Sequence, residues 1–352
     1  MNKNRLKEML YERPFLCALA KVLKHHNDKR FLDRVNNTKP EFYLASEAFH
    51  LSKGRTYYVI ERDWGINGFF AIMSFCLLDF AVADSLGFIP YVNINRSLYN
   101  VEGGWNGINN MFEYYFVQPF PDSVERIKGE ENYFYANYEN CAGIRRRFQA
   151  QENYNYIDEQ LRYLGTIAKK YMHLRPELEK ELHQETINLL SDKRTLGIHF
   201  RGSDFRMGFK NHPIALTIEQ YIPLVEEAMQ NGFEQIFLAT DDKAAAKAFC
   251  QRFGNKVVMY QNVMRTDGNV GVHMLDHQEN ERYYRGLEVL RDMCTLAACS
   301  GMLAGVSNVS KFAQIWKYAH DAEFDLLKII RNGTYDRHSS DAKKILNKHG
   351  RK

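Results

Sequence analysis

The chain has 352 residues, 45% of them apolar and 26% charged, with 21 Tyr, 23 Phe and 3 Trp. That length suits about two domains with a sizeable core, and the composition excludes a disordered or collagen-like chain. The formal charge is +4, from 47 Lys and Arg against 43 Asp and Glu, but residues 331–352 hold seven basic and two acidic side chains, leaving 40 against 41 in the rest. A nucleic-acid-binding body would carry a basic stripe; here the excess sits in a basic tail, which either solvates the C-terminus or touches acidic membrane peripherally.

The six cysteines, Cys17, Cys76, Cys141, Cys250, Cys294 and Cys299, form no C-x-x-C pair and no cluster with His at metal-ligand spacing, which fits reduced thiols in a cytoplasmic protein. The longest apolar stretch, residues 69–78, is short for a bilayer and is followed by Asp79 and Asp84. The N-terminal MNKNRLKEMLYERP lacks the apolar centre of a signal peptide.

In chain order, TYYVI at 56–60 predicts a strand. A turn carrying Trp64, Gly65, Ile66, Asn67 and Gly68 follows, then a buried helix over FFAIMSFCLLDFAVADSL ending at Gly87, and a second strand at 88–94. This βαβ unit places the glycine-bearing turn at the carboxyl end of a strand. Residues 95–150 read as loop-rich and 151–192 as helical, with Pro176 near a helix start. From Thr195 strands and helices alternate: TLGIHF, a loop to Leu216, helix 217–230, IFLAT, helix 242–252, KVVMY, a long loop 261–279, helix 280–299, MLAGV, helix 307–320 and a strand near 325–330. The expected architecture is α/β, with two Rossmann-like parallel-sheet domains facing a cleft. Residues 1–190 make one domain with a helical bridging region, residues 191–330 a second domain, and residues 331–352 the tail.

Open parallel sheets bind ligands beyond the carboxyl ends of their strands. After TLGIHF come Arg201, Gly202, Ser203 and Asp204, with His199 closing the strand. After IFLAT come Asp241 and Asp242, and after MLAGV come Ser307, Asn308, Val309 and Ser310, opening a helix. Small hydroxyl and amide residues at a helix start present free N–H groups to a phosphate, and a neighbouring Arg completes a diphosphate clamp. Each cluster also has a plainer role: Ser307 to Ser310 and Asp241 to Asp242 as helix caps, Arg201 and Asp204 as a surface ion pair. The chain holds no G-x-x-x-x-G-K-[ST], no G-x-G-x-x-G after a strand, no G-x-S-x-G and no Asp-x-Asp, which disfavours P-loop, dinucleotide-dehydrogenase and serine-hydrolase chemistry.

Taken together, GIHFRGSDF at 197–205, IFLATDD at 236–242, RGLEVLRD at 285–292 and SNVS at 307–310 resemble the fucosyltransferase superfamily of GT-B fold, in particular bacterial proteins similar to α-1,6-fucosyltransferases and nodulation fucosyltransferases. The likeness covers roughly residues 190–320 in detail. It implies an inverting, metal-independent transferase with no cofactor, using a nucleotide-sugar donor, most naturally GDP-fucose, and a glycan or lipid-linked glycan acceptor in bacterial surface polysaccharide synthesis. By that resemblance the first domain is the acceptor side and the second binds the nucleotide sugar: Arg201 meets the diphosphate, His199 lies against the nucleotide, Asp292 meets the guanine edge and Ser307 with its neighbours meets the phosphates. Tyr221 matches a donor-pocket tyrosine, and Asp241 and Asp242 match paired acids below the site.

The sequence departs from the family pattern at Gly202 and Phe205, where a second Arg and a Lys are expected, and 205–218 contains no Asp or Glu. The base that takes the acceptor proton is therefore open among Asp204, His212, Glu61 and Asp63, with leaving-group stabilisation as the other source of rate. Acceptor recognition falls to the N-terminal half, where Trp64, Asn67, Gly68 and Trp105, with Tyr99, Tyr114 and Tyr115, are candidates for sugar contact or for packing. A protein that keeps this fold and binds nucleotide or glycan without catalysis is the second class, and another sugar donor the second enzyme. The run Arg145, Arg146, Arg147 is read as a solvated helix face or an anion contact.

Overall fold

The computed structural model describes residues 19, 23 and 27, and residues 56–343 apart from 62, 63, 66, 131, 137–147, 150, 153, 154, 203, 268–271, 273–280 and 341. Ser203, Asp63, the Arg145 to Arg147 run and the side chain of Asp204 lie outside the described residues.

The first part builds a three-stranded parallel sheet, β1 (Thr56–Ile60), β2 (Ile89–Val92) and β3 (Asn132–Ala136), in the order β2-β1-β3. Between β1 and β2 runs α1 (Phe69–Leu86), which ends at Gly87 in the left-handed conformation, φ 69°. Two short helices, α2 (Met111–Tyr115) and α3 (Val124–Glu130), precede β3. The sequence expectation of loop over 95–150 missed β3, whose five residues pair in parallel register with all of β1, from Thr56 with Asn132 to Ile60 with Ala136. A two-stranded hairpin, β4 (Gln151–Glu152) and β5 (Asn155–Tyr156), leads to α4 (Asp158–Tyr171) and α5 (Pro176–Leu190); Pro176 occupies the first turn of α5, where its missing N–H costs nothing.

The second part is a five-stranded parallel sheet of β6 (Thr195–Phe200), β7 (Gln235–Thr240), β8 (Val257–Val258), β9 (Gly301–Gly305) and β10 (Leu326–Ile330), in the order β10-β9-β6-β7-β8. Its crossovers are α6 (Ile218–Gln230), α7 (Lys243–Phe253), α8 (Glu281–Ala298) and α9 (Asn308–Ala319). The caps are written in the sequence: Thr217 and Gln220 form a capping box on α6, Asp242 accepts from Ala245 N on α7, and Ser307 and Ser310 form a capping box on α9. KVVMY yields only the two residues of β8. The chain then leaves the sheet edge, because Tyr260 turns its hydroxyl inward to Thr295, 2.9 Å, and its carbonyl accepts from Arg265, 2.8 Å.

The residues of β6 and β7 are buried throughout, as expected of central strands covered on both faces. One layer, with Ile198, Phe200, Tyr221 and Phe249, lies between the sheet and α6 and α7. The other face shares a continuous core with the first part, running from Phe69 and Phe80 through Leu164 to Leu290 and Phe312. α1 is long and apolar enough to cross a membrane by composition, but its circumference is taken up by β2, α4 and α9, and its one buried carboxylate, Asp79, accepts from Tyr58 Oη at 3.0 Å. Aromatic contacts join the two parts: Phe70 against Phe312 at 4.8 Å and Trp105 stacked on Tyr283 at 4.1 Å. Gly286 is required there, since a Cβ would lie 2.2 Å from Tyr115 Oη.

The first part of the stretch expected to be a basic tail packs against the loop between β6 and α6. Pro213 and Thr334 form an antiparallel bridge, Ile214 N donates to Gly333 O, Tyr335 N to His212 O and Ser339 N to Gly208 O. Ala342 is fully buried.

Candidate functional site

The strand order of the larger sheet reverses between β6 and β9, because the chain crosses from β6 to β7 and β8 on one side and then returns to β9 and β10 on the other. The crevice outside the carboxyl ends at such a switch point is where open α/β sheets hold ligands. His199, Arg201, Gly202 and Ser307 are all at this point. The His199 imidazole, 5% exposed, has Nδ1 3.3 Å from Ser307 Oγ, and its carbonyl accepts from Tyr221 Oη at 3.0 Å. Burial and the charge of Arg201 push the imidazole down to about 4, so it is neutral at physiological pH.

Arg201 pairs with Asp241 at 2.8 Å, and the other carboxylate oxygen of Asp241 accepts from Gly202 N at 3.2 Å. Asp242 is 2% exposed on its side chain, caps α7 and binds Arg206. The paired acids thus hold the loop after β6 in place: Asp241 orients Arg201 and Asp242 anchors Arg206. A Cβ on residue 202 would fall 2.3 Å from Asp242 Oδ2, so the departure at Gly202 follows from the close approach of that carboxylate. Phe205 lies 5.9 Å from the Arg201 guanidinium.

At α9 the cap is satisfied internally and from the first part of the chain. Ser307 Oγ accepts from Ser310 N at 3.0 Å, Ser310 Oγ donates to Gly305 O at 2.7 Å, and the Tyr156 hydroxyl accepts from Ser307 N and donates to Ser307 O. Ser310 is therefore a buried structural residue. The exposed Asn308 and half-buried Val309 head the helix, and N–H groups in this first turn have no partner within a helix.

Asp292 sits midway along α8, the helix that covers the first-part side of the sheet. Burial pushes its carboxyl up to about 7, against the pull of Arg291 and Arg265 and with Glu288 and Asp241 adding to the rise. It makes no hydrogen bond among the described residues. Glu288, one turn earlier, is also raised by burial while accepting from Met264 N at 3.0 Å. A lysine that sequence reasoning passed over, Lys311 in α9, has its amine pushed down to about 8 by burial.

A cavity of about 180 Å³ opens beside the switch point, lined among others by Arg201, Tyr221, Val306, Arg331 and Asn332. Tyr221 is 0% exposed, so it serves as wall and as the support of the His199 carbonyl. Tyr156 and Arg331 were missed by sequence reasoning. Arg331 follows β10 directly, so inspection of every strand end would have found it; Tyr156 carried no comparable signal.

The other expectations separate. His212 is exposed, packs near Phe209 at 5.3 Å and is not among the cavity lining. Trp64 is corrected from a sugar platform to a core residue, 1% exposed and packed near Phe75, because the turn folds its ring beneath α1. Tyr99, Tyr114 and Tyr115 are likewise buried. The ring of Trp105 has one face covered by Tyr283, which makes it a joint between the two parts. Asn67 is exposed, its amide donating to Trp64 O at 2.7 Å, and Gly68 starts α1. Beside this turn lies an open polar groove of about 600 Å³ bordered by Gly65, Arg96, Asn100 and Arg282. Glu61 is held by Asn93 Nδ2 at 2.6 Å.

No family model and no curated protein matches the sequence. Among solved structures the chain is similar to the NodZ α-1,6-fucosyltransferase of Bradyrhizobium, soaked with GDP-fucose, at 15% identity over 75% of this chain and 93% of that one, TM-score 0.47. It is also similar to Arabidopsis thaliana FUT1 in complex with GDP, at 10% identity over 94% and 80%, TM-score 0.45, and to POFUT1 in complex with GDP-fucose, at 10% identity over 80% and 99%, TM-score 0.40. These are likenesses of outline.

Proposed function

We propose that the chain is a glycosyltransferase that holds a nucleotide-diphosphate sugar across the carboxyl ends of β6 and β9 and passes the sugar to a hydroxyl of a glycan acceptor. The observation that carries this reading is the meeting of Arg201, His199 and the capped start of α9 at the switch point, beside a cavity lined, among the described residues, by two arginines and no carboxylate. The motifs that resemble the fucosyltransferases fall on these same strand ends and favour GDP-fucose as donor. Asp292, a carboxyl without a hydrogen-bond partner among the described residues, suits the two N–H donors of a guanine edge.

In the transfer the bond from the anomeric carbon to the diphosphate oxygen breaks and its electron pair leaves with the diphosphate. The acceptor oxygen bonds to that carbon from the opposite face, which inverts the centre, and the hydroxyl proton passes to a base or to water. The departing diphosphate gains a negative charge, and Arg201, aimed by Asp241, is the group in position to take it without a metal ion. With His212 exposed to solvent and Glu61 tied to Asn93, leaving-group stabilisation carries the larger share of the rate, and Asp204 is the first of the candidate bases that the sequence left open. We place the reaction in the cytoplasm, on a surface glycan or its lipid-linked precursor, with the polar groove at Gly65 and Arg282 as the acceptor side.

The same Glu61–Asn93 contact favours a second reading, a nucleotide-sugar-binding protein without turnover. Incubation with GDP-fucose and in parallel with UDP-sugars, each with and without a panel of glycan acceptors, separates the two: release of GDP supports the transferase, binding without release selects the second reading, and release from UDP-sugars alone contradicts the GDP assignment.

A further inference from the structure

The cavity beside the switch point has an uneven charge. Among the described residues its lining contains Arg201 and Arg331 and no acidic side chain. The two arginines differ in what else they bind. Arg201 already shares its charge with Asp241 at 2.8 Å, and Arg206, the other guanidinium of this loop, is committed to Asp242. Arg331 makes no ion pair among the described residues and is exposed at the cavity rim.

The backbone that carries Arg331 is held firmly. β10 pairs with β9 up to Ile330 opposite Gly305. Just beyond, Asn332 Oδ1 accepts from Gln220 at 2.8 Å, Gly333 O accepts from Ile214 N at 3.0 Å, and Thr334 bridges Pro213. The charge of Arg331 also reaches the Tyr156 hydroxyl, where it opposes the rise that burial imposes, and that hydroxyl is bonded to Ser307. Arg331 therefore stands on the β10 side of the same strand ends that carry Arg201 and Ser307. Residue 202 offers no room for a further cation, since any side chain there meets Asp242.

We infer that Arg331 is the second cationic ligand of the departing diphosphate, closing the site from the β10 side while Arg201 closes it from β6. This rests on the proposed donor site. A cavity of about 180 Å³ is below the roughly 300–1,000 Å³ that encloses a whole drug-sized ligand, which fits a diphosphate portion with the nucleoside outside it. A guanidinium without a carboxylate partner gives its full charge to the anion, and its fork matches phosphate oxygens in a way that an ammonium does not.

The test is titration calorimetry of the full chain and of its Arg331→Gln and Arg331→Lys variants with GDP and with inorganic pyrophosphate, together with urea midpoints. The expected result is an unchanged midpoint, a loss of about 10- to 100-fold in affinity for both probes in Arg331→Gln, and a smaller loss in Arg331→Lys. GDP binding that is equal in the full chain and Arg331→Gln overturns the role of Arg331 and leaves the donor reading intact. Pyrophosphate binding that depends on Arg331 in a chain that ignores GDP supports the anion site and removes the guanine nucleotide. Binding of neither probe by the full chain overturns both.

Discussion

The Tyr156 hydroxyl donates to the carbonyl of Ser307 at 2.7 Å and accepts from its N–H at 2.9 Å, so a side chain from the β4–β5 hairpin closes the start of the helix that borders the site. Tyr156→Phe removes these two bonds and the 3.2 Å contact with Ser310 Oγ, and keeps the ring. At about 1 kcal/mol for each lost hydrogen bond, the variant is expected to be about 1–2 kcal/mol less stable and to bind donor a few-fold more weakly. Urea unfolding and calorimetry with GDP check this; an unshifted midpoint would show that the hairpin is not fastened there.

Gly202→Ala drives a methyl group into Asp242, which both caps α7 and binds Arg206. Overpacking of this kind costs about 1–3 kcal/mol, and the displaced carboxylate also loosens the loop that carries Arg201. The expected outcome is a lower unfolding midpoint together with at least tenfold lower transfer. Full activity in Gly202→Ala would mean that the close approach has no role in holding Arg201.

Arg201→Ala leaves Asp241 without its cation while the sheet beneath it is untouched. Transfer should fall by a factor of 100 or more, in the range seen when one charge-stabilising group is removed from an active site, with the circular dichroism spectrum unchanged. Near-normal turnover would take Arg201 out of the mechanism.

The pH dependence has a defined sign. Burial raises Asp292 to about 7, lowers His199 to about 4 and lowers the Lys311 amine to about 8, so of these three groups Asp292 is the one whose charge is lost as pH falls from about 7.5 to 5.5. Its carboxylate, the form that accepts two N–H donors, is lost as pH falls through about 7. GDP affinity should therefore weaken by up to about tenfold per pH unit below 7 and level off above 8. Asp292→Asn should bind GDP more weakly than the parent at pH 8 and abolish the difference in slope. Nucleotide phosphates, which titrate near pH 6, do so for both proteins, so the affinity ratio is the quantity to follow. A ratio independent of pH would sever Asp292 from the guanine edge.

Much of this site was legible because the strands of the larger sheet are continuous apolar runs and the residues after them are polar. TLGIHF, IFLAT and MLAGV became β6, β7 and β9 at nearly their expected bounds, and the capping roles of Asp242 and Ser307 followed from their positions before helices. β3 was not legible: NYFYA lies among charged and asparagine residues, and only its pairing with β1 makes it a strand. β8 was overestimated because nothing local reveals that Tyr260 turns inward to Thr295. The aromatics of the first part divided along a line that sequence does not draw. Trp64 and Trp105 stand in similar glycine-rich turns, yet Trp64 folds under α1 and Trp105 reaches across to Tyr283. The course of 331–340 was hidden because its fastenings are long-range, shared between backbone bonds to 208–214 and the side chains of Asn332, His338 and Ser339, which no local pattern reveals.

The proposed donor is a guanine-nucleotide sugar held at the β6–β9 switch point without a metal ion. A thermal-shift series with GDP, UDP, CDP and ADP, each with and without EDTA, addresses it most directly, because a ligand that binds only the native state raises its melting temperature. The expected result is a rise with GDP alone that EDTA leaves unchanged. A rise with UDP in place of GDP, or one that EDTA abolishes, would contradict it.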